Sequence, residues 1–72
     1  MPAFQLNTDS VSVSADFIEN KMTDANGAYV KVYLYMLLLA SRNLTEETSS
    51  IAKRLNLLES DVVNAIEYWS EN

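Results

Sequence analysis

Residues 51–66 read IAKRLNLLESDVVNAI, and the chemistry this spacing offers is the reading of a DNA duplex by a helix-turn-helix. Ile51, Ala52 and Leu55 fall on one face of a first helix. Leu57 plugs the turn, and Val62 and Ile66 fall on the inner face of a second helix. The outward set of the pair is Lys53, Arg54, Glu59, Ser60, Asp61, Asn64 and Glu67. Base reading needs Arg, Lys, Asn or Gln on the second helix, plus cationic anchors for phosphate. Asn64 is the one side chain of that kind on the second helix, while Glu59, Asp61 and Glu67 would meet phosphates as like charges. Lys53 and Arg54, on the first helix, could touch a phosphate. The shape points to DNA and the charge points away from it. Direct DNA binding is therefore not expected, and a structural or protein-binding role is.

Other chemistry lacks its residues. The chain of 72 residues holds neither His nor Cys, so common bases, thiol nucleophiles, disulfides and thiolate zinc sites are missing. Its hydroxyls have no partner base of the triad kind. A single glycine, Gly27, cannot make a phosphate-cradling loop, and the carboxylates show no EF-hand spacing. No catalytic residue, cofactor site or metal site is expected. Tyr29, Tyr33, Tyr35 and Tyr68 could stack single-stranded bases, but no basic residues interleave with them. They read instead as amphipathic rings at the edge of a core, with Tyr29, Tyr33 and Tyr68 in core or interface. Tyr35 points away from Tyr33 on a helix and is the tyrosine expected to be exposed.

Charge agrees with this. Ten acids against five bases give a net −5. Residues 1–42 carry three bases and four acids (−1), and residues 43–72 carry two bases and six acids (−4). The half shaped for DNA is the more acidic half, whereas nucleic-acid affinity rests on cations neutralising phosphates. Glu46, Glu47, Glu59, Asp61, Glu67 and Glu71 form either a docking surface for a basic partner or a solvated face. Glu46 and Glu47 fall in a solvated turn.

The elements that must position these residues are mainly α-helical. Val11 and Val13 alternate with Ser10, Ser12 and Ser14, a period of two that predicts a short half-buried strand. Asp16 and Glu19 resemble a capping box for a helix over 17–22. A long helix is predicted over about 26–42, with Tyr29, Val32, Tyr33, Met36, Leu37 and Ala40 on one face. Lys31 is the sole charge between Ala28 and Ser41, so this helix is apolar nearly all round and reads as buried on more than one side. A helix over about 49–55 follows, capped by Thr48 or Ser49. The last helix runs to about Trp69, capped by Ser60 or starting at Leu58, with Val62, Val63, Ile66 and Trp69 inward. The N-terminus lacks a basic region followed by an apolar run, and the longest apolar stretch, 32–40, is too short to cross a bilayer. A cytoplasmic chain with no membrane partner is expected.

Three stretches together resemble the N-terminal domain of the DnaD family of bacterial primosomal replication proteins, in its clostridial form. ADFIENKMTDANGAYVKVYLYMLLLA looks like the family's short helix, Ala-Asn-Gly break and tyrosine-rich helix. SSIAKRLNLLESDVVNAI looks like its helix-turn-helix, and AIEYW is similar to the close of its last helix. The resemblance spans about residues 10–70. It implies a winged-helix fold and a scaffold role in primosome assembly through homo-oligomerisation and contacts with other replication proteins, such as the initiator or helicase-loading machinery. DNA binding in the family is attributed mainly to a separate C-terminal domain. After Trp69 the family continues into a β-hairpin wing, where this chain has Ser70, Glu71 and Asn72. The chain thus reads as a domain cut before the wing or a short relative.

The expected architecture is a winged-helix or helix-turn-helix domain of three to four helices with at most a short N-terminal strand. Residues 1–15 form an arm, and residues 16–72 form a helical core containing the helix-turn-helix at 49–69. Self-association is assigned to Tyr35, Leu38, Leu39 and Trp69. The competing reading is a helix-turn-helix DNA-binding transcriptional regulator.

Overall fold

A computed structural model describes residues 10–71 of the chain. Most of the expected arm, residues 1–9, lies outside the described residues. Residues 10–14 form no strand. Val11 and Val13 are half-buried while Ser10, Ser12 and Ser14 are exposed, so the period of two is present in burial. A strand needs a partner edge, and the described residues supply none.

The chain then turns helical. A π-helical turn, Phe17–Lys21, runs into a 3-10 turn, Met22–Asp24. The expected capping box at Asp16 is corrected. Asp16 is already in helical conformation and accepts from the Asn20 amide at 2.9 Å. The cap is Ser14, whose Oγ accepts the Phe17 N–H at 3.1 Å. This turn carries Phe17, 2% exposed, into the molecule.

Helix α1, Gly27–Ser41, begins where the Asn26 side chain accepts the Tyr29 N–H at 3.0 Å. It ends where Asn43 takes a left-handed conformation (φ 55°), letting the Leu44 N–H reach the Leu39 carbonyl at 2.9 Å and the Asn43 N–H reach Ala40 at 3.2 Å. This paired closure is the Schellman motif. Helix α2, Thr48–Leu55, closes the same way: Asn56 is left-handed (φ 59°), and Leu57 N–H meets the Ala52 carbonyl at 2.9 Å. The chain turns here into α3, Glu59–Ser70. Neither expected cap holds. Glu47 and Leu58 occupy the N-cap positions of α2 and α3 without side-chain capping bonds, and the Thr48 hydroxyl donates to Glu59 Oε2 at 2.6 Å.

The core is a three-helix junction of Val32, Leu39, Ile51, Ala52, Val62 and Ala65, all buried. Helix α3 packs against both α1 and α2. The buried line of α1 therefore runs through Val32 and Leu39, and the inward placement of two residues is corrected: Met36 (39% exposed) and Ala40 lie at the surface. Within the chain, α2 and α3 cover one side of α1. On α3, Val63 is 41% exposed because its neighbours Val62 and Ala65 take the buried line.

Candidate interaction surface

The helix-turn-helix set lies where its spacing places it. Lys53, Arg54, Glu59, Ser60, Asn64 and Glu67 are exposed and Asp61 is half-buried. The tertiary structure adds what the cations do. Arg54 Nε sits 3.2 Å from Glu46 Oε1. Lys31 Nζ donates to the Leu55 carbonyl at 3.2 Å, placing its charge at the C-terminal end of α2, where the helix dipole favours it. The outer face of α3 keeps Glu59, Asp61 and Glu67, with the first two in its first turn, where carboxylates are stabilised. Leu58, 69% exposed, stands at the head of this helix. A recognition helix would need a phosphate anchor or base reader in that place.

Glu46 is not in a solvated turn. It is 20% exposed and receives the Tyr35 hydroxyl on both oxygens, at 2.8 and 3.0 Å, as well as Arg54. Tyr35 is accordingly half-buried and packed against the core, not the exposed tyrosine the helical geometry suggested. Burial raises its hydroxyl pKa above the ordinary 10.0, and the hydrogen bond to the Glu46 carboxylate raises it further.

The four residues assigned to self-association divide. Leu39, 7% exposed, belongs to the core, and Tyr35 is tied to Glu46. Leu38 is half-buried. Trp69 is half-buried in an aromatic cluster: Phe17 stacks on Tyr33 with centroids 4.0 Å apart, and Trp69 lies 4.9 Å from Tyr33 and 4.8 Å from Tyr68. Its Nε1–H donates to the Tyr29 carbonyl at 2.8 Å. The residue missed on α1 is Leu34, 42% exposed, which falls on the outer face with half-buried Val30, Leu37 and Leu38. Its outward place follows only once packing has put Val32 inward: Leu34 lies about 160° around the helix from Val32, at 100° per residue.

Two clefts meet at Met36 and Ile66: one of about 240 Å³ lies between α1, the loop at 44–46 and Ile51 of α2, and one of about 220 Å³ lies between α1 and α3. One runs toward Leu44 and Glu46, the other toward Tyr33 and Trp69.

Comparison with known proteins finds no matching family model, no matching curated protein and no matching solved structure. No helix of the described residues is long and apolar enough to cross a membrane.

Proposed function

We propose that this chain is an assembly module of the bacterial primosome, similar to the DnaD N-terminal domain and of winged-helix type. It acts in the cytoplasm by binding copies of itself and other replication proteins, such as the initiator or the helicase-loading machinery. The carrying observation is the outer face of α1. Val30, Leu34, Leu37 and Leu38 leave an uncharged apolar strip there, with Leu34 42% exposed and the nearby Lys31 amine drawn away to Leu55. Burial of such a strip against a second copy removes apolar area from water without desolvating a charge. The acidic outer face of α3 supports the protein-binding role over a nucleic-acid one.

The test is solution mass by light scattering across a concentration series. A mass rising above the 8.1 kDa of one chain, and lost in Leu34→Glu, supports the reading. A wild-type chain that stays monomeric throughout refutes self-association. The second reading, a DNA-binding regulator, draws on the tight turn at Asn56 and on exposed Lys53. It requires salt-sensitive binding to duplex DNA.

A further inference from the structure

We infer that the groove between α1 and α3 receives an amphipathic, positively charged helix from a partner protein. This rests on the scaffold reading and names the chemistry of one of its partners. The two clefts on either side of Met36 and Ile66 are walled mainly by Val32, Tyr33, Leu39, Leu44 and Trp69. Apolar clefts placed in a row suit side chains one or two turns apart on a docking helix. Met36 at the saddle is unbranched and adapts its shape to an incoming side chain.

Charge selects the occupant. Among the described residues, the one charged side chain lining the groove is Glu46, and Arg54 and the Tyr35 hydroxyl already engage it, so the selecting charge is that of the adjoining flank of α3. Beyond Ile66, helical spacing puts Glu59, Val63, Glu67 and Ser70 along the adjoining flank of α3, all exposed, and Glu71 is exposed at its end. On α1 the groove side holds Tyr29, Tyr33, Met36 and Ala40, without a cation. A second copy of the chain would bring its own net −5 against this flank. A helix with Lys or Arg beside an apolar stripe meets apolar walls and carboxylates together. The uncharged outer face of α1 remains the surface for self-association.

The experiment uses the full chain and three labelled peptides of about 15 residues, long enough to form a helix. One is an amphipathic Leu/Lys helix, one its Leu/Glu counterpart, and one a scrambled Leu/Lys sequence. Binding is read by fluorescence polarisation and by the emission of Trp69, which lines the groove. The Leu/Lys helix is expected to bind at least tenfold tighter than the other two. Met36→Lys and Glu67→Lys are each expected to weaken it about tenfold, while Leu34→Glu leaves it unchanged. Equal binding of the Leu/Glu or scrambled peptide overturns the proposal, as does no binding of any. Loss of affinity in Leu34→Glu with none in Met36→Lys moves the site to the outer face of α1 and overturns it too. A tenfold gain on deleting residues 1–9 makes that segment the occupant in place of a partner. A monomeric chain that binds the Leu/Lys helix keeps the groove and loses self-association; an oligomer that binds no peptide does the reverse.

Discussion

Leu34 and Leu39 lie five residues apart on α1, and replacing each with Glu separates an interface from a core. Leu39 is 7% exposed among Val32, Ile51 and Val62. Truncating a buried Leu costs about 2–5 kcal/mol, and a carboxylate there adds the cost of an unpaired buried charge. A domain of 72 residues has about 4–11 kcal/mol of total stability at 0.05–0.15 kcal/mol per residue. Leu39→Glu is therefore expected to unfold the chain, seen as loss of helical circular dichroism at 25 °C. Leu34 is already 42% exposed, so Leu34→Glu should melt within a few degrees of the wild type. Its effect belongs to association. Complete burial of a Leu side chain is worth about 1.5–3 kcal/mol, of which roughly two-fifths, about 0.6–1.3 kcal/mol, is still to be gained at Leu34. A two-fold dimer uses the patch twice, so the loss is about 1.3–2.5 kcal/mol, or roughly 10- to 70-fold in Kd, before any carboxylate desolvation is counted. Sedimentation or light scattering across a concentration series measures that shift. A Leu34→Glu protein that melts normally and keeps the wild-type oligomer refutes the placement of the interface. A cooperatively folded Leu39→Glu protein refutes the placement of the core.

Other expectations follow from single contacts. Ultraviolet titration should find the Tyr35 hydroxyl ionising above 10.0, and Glu46→Ala should bring it back toward that value. Because the folded pKa is raised, the stability linked to this hydroxyl is fully present below about pH 10 and is lost as pH climbs through the folded value. An ultraviolet titration curve that Glu46→Ala leaves unchanged would contradict the Tyr35–Glu46 contact. At the turn between α2 and α3, Asn56 at φ 59° should tolerate Gly, whereas Asn56→Ala should cost about 1–2 kcal/mol in urea denaturation; equal midpoints for the two would place the turn in another conformation. Duplex DNA should migrate unchanged with this chain at low salt. A shift that disappears in Lys53→Ala and Arg54→Ala would favour the regulator reading instead.

What the sequence determined by itself was local. The bounds of α1 were readable because Asn26 caps the helix through an N–H three residues away and because the apolar run that follows is continuous. The pair of helices α2 and α3 with a tight turn between them was readable because Ile51, Leu55, Leu57, Val62 and Ile66 keep helical spacing around one turn. The acidic character of its outer face needed only residue identities. The choice among neighbouring hydroxyls and carboxylates as caps was harder, since Ser14, Asp16, Thr48 and Ser60 all suit the role by type and only Ser14 meets the N–H.

Tertiary packing decided which side of α1 is the core. A helix apolar nearly all round has no periodicity to read, so Val32 and Leu39 went inward, and Leu34 and Met36 outward, only because α2 and α3 cover one side. Tyr35 turned from exposed to half-buried because a loop 11 residues on supplies the Glu46 carboxylate. The Lys31 contact spans 24 residues and the Trp69 contact 40. Capping and periodicity act over a few residues and are written in the chain. The partner of a face is set by which distant segment folds against it, and no local pattern encodes that.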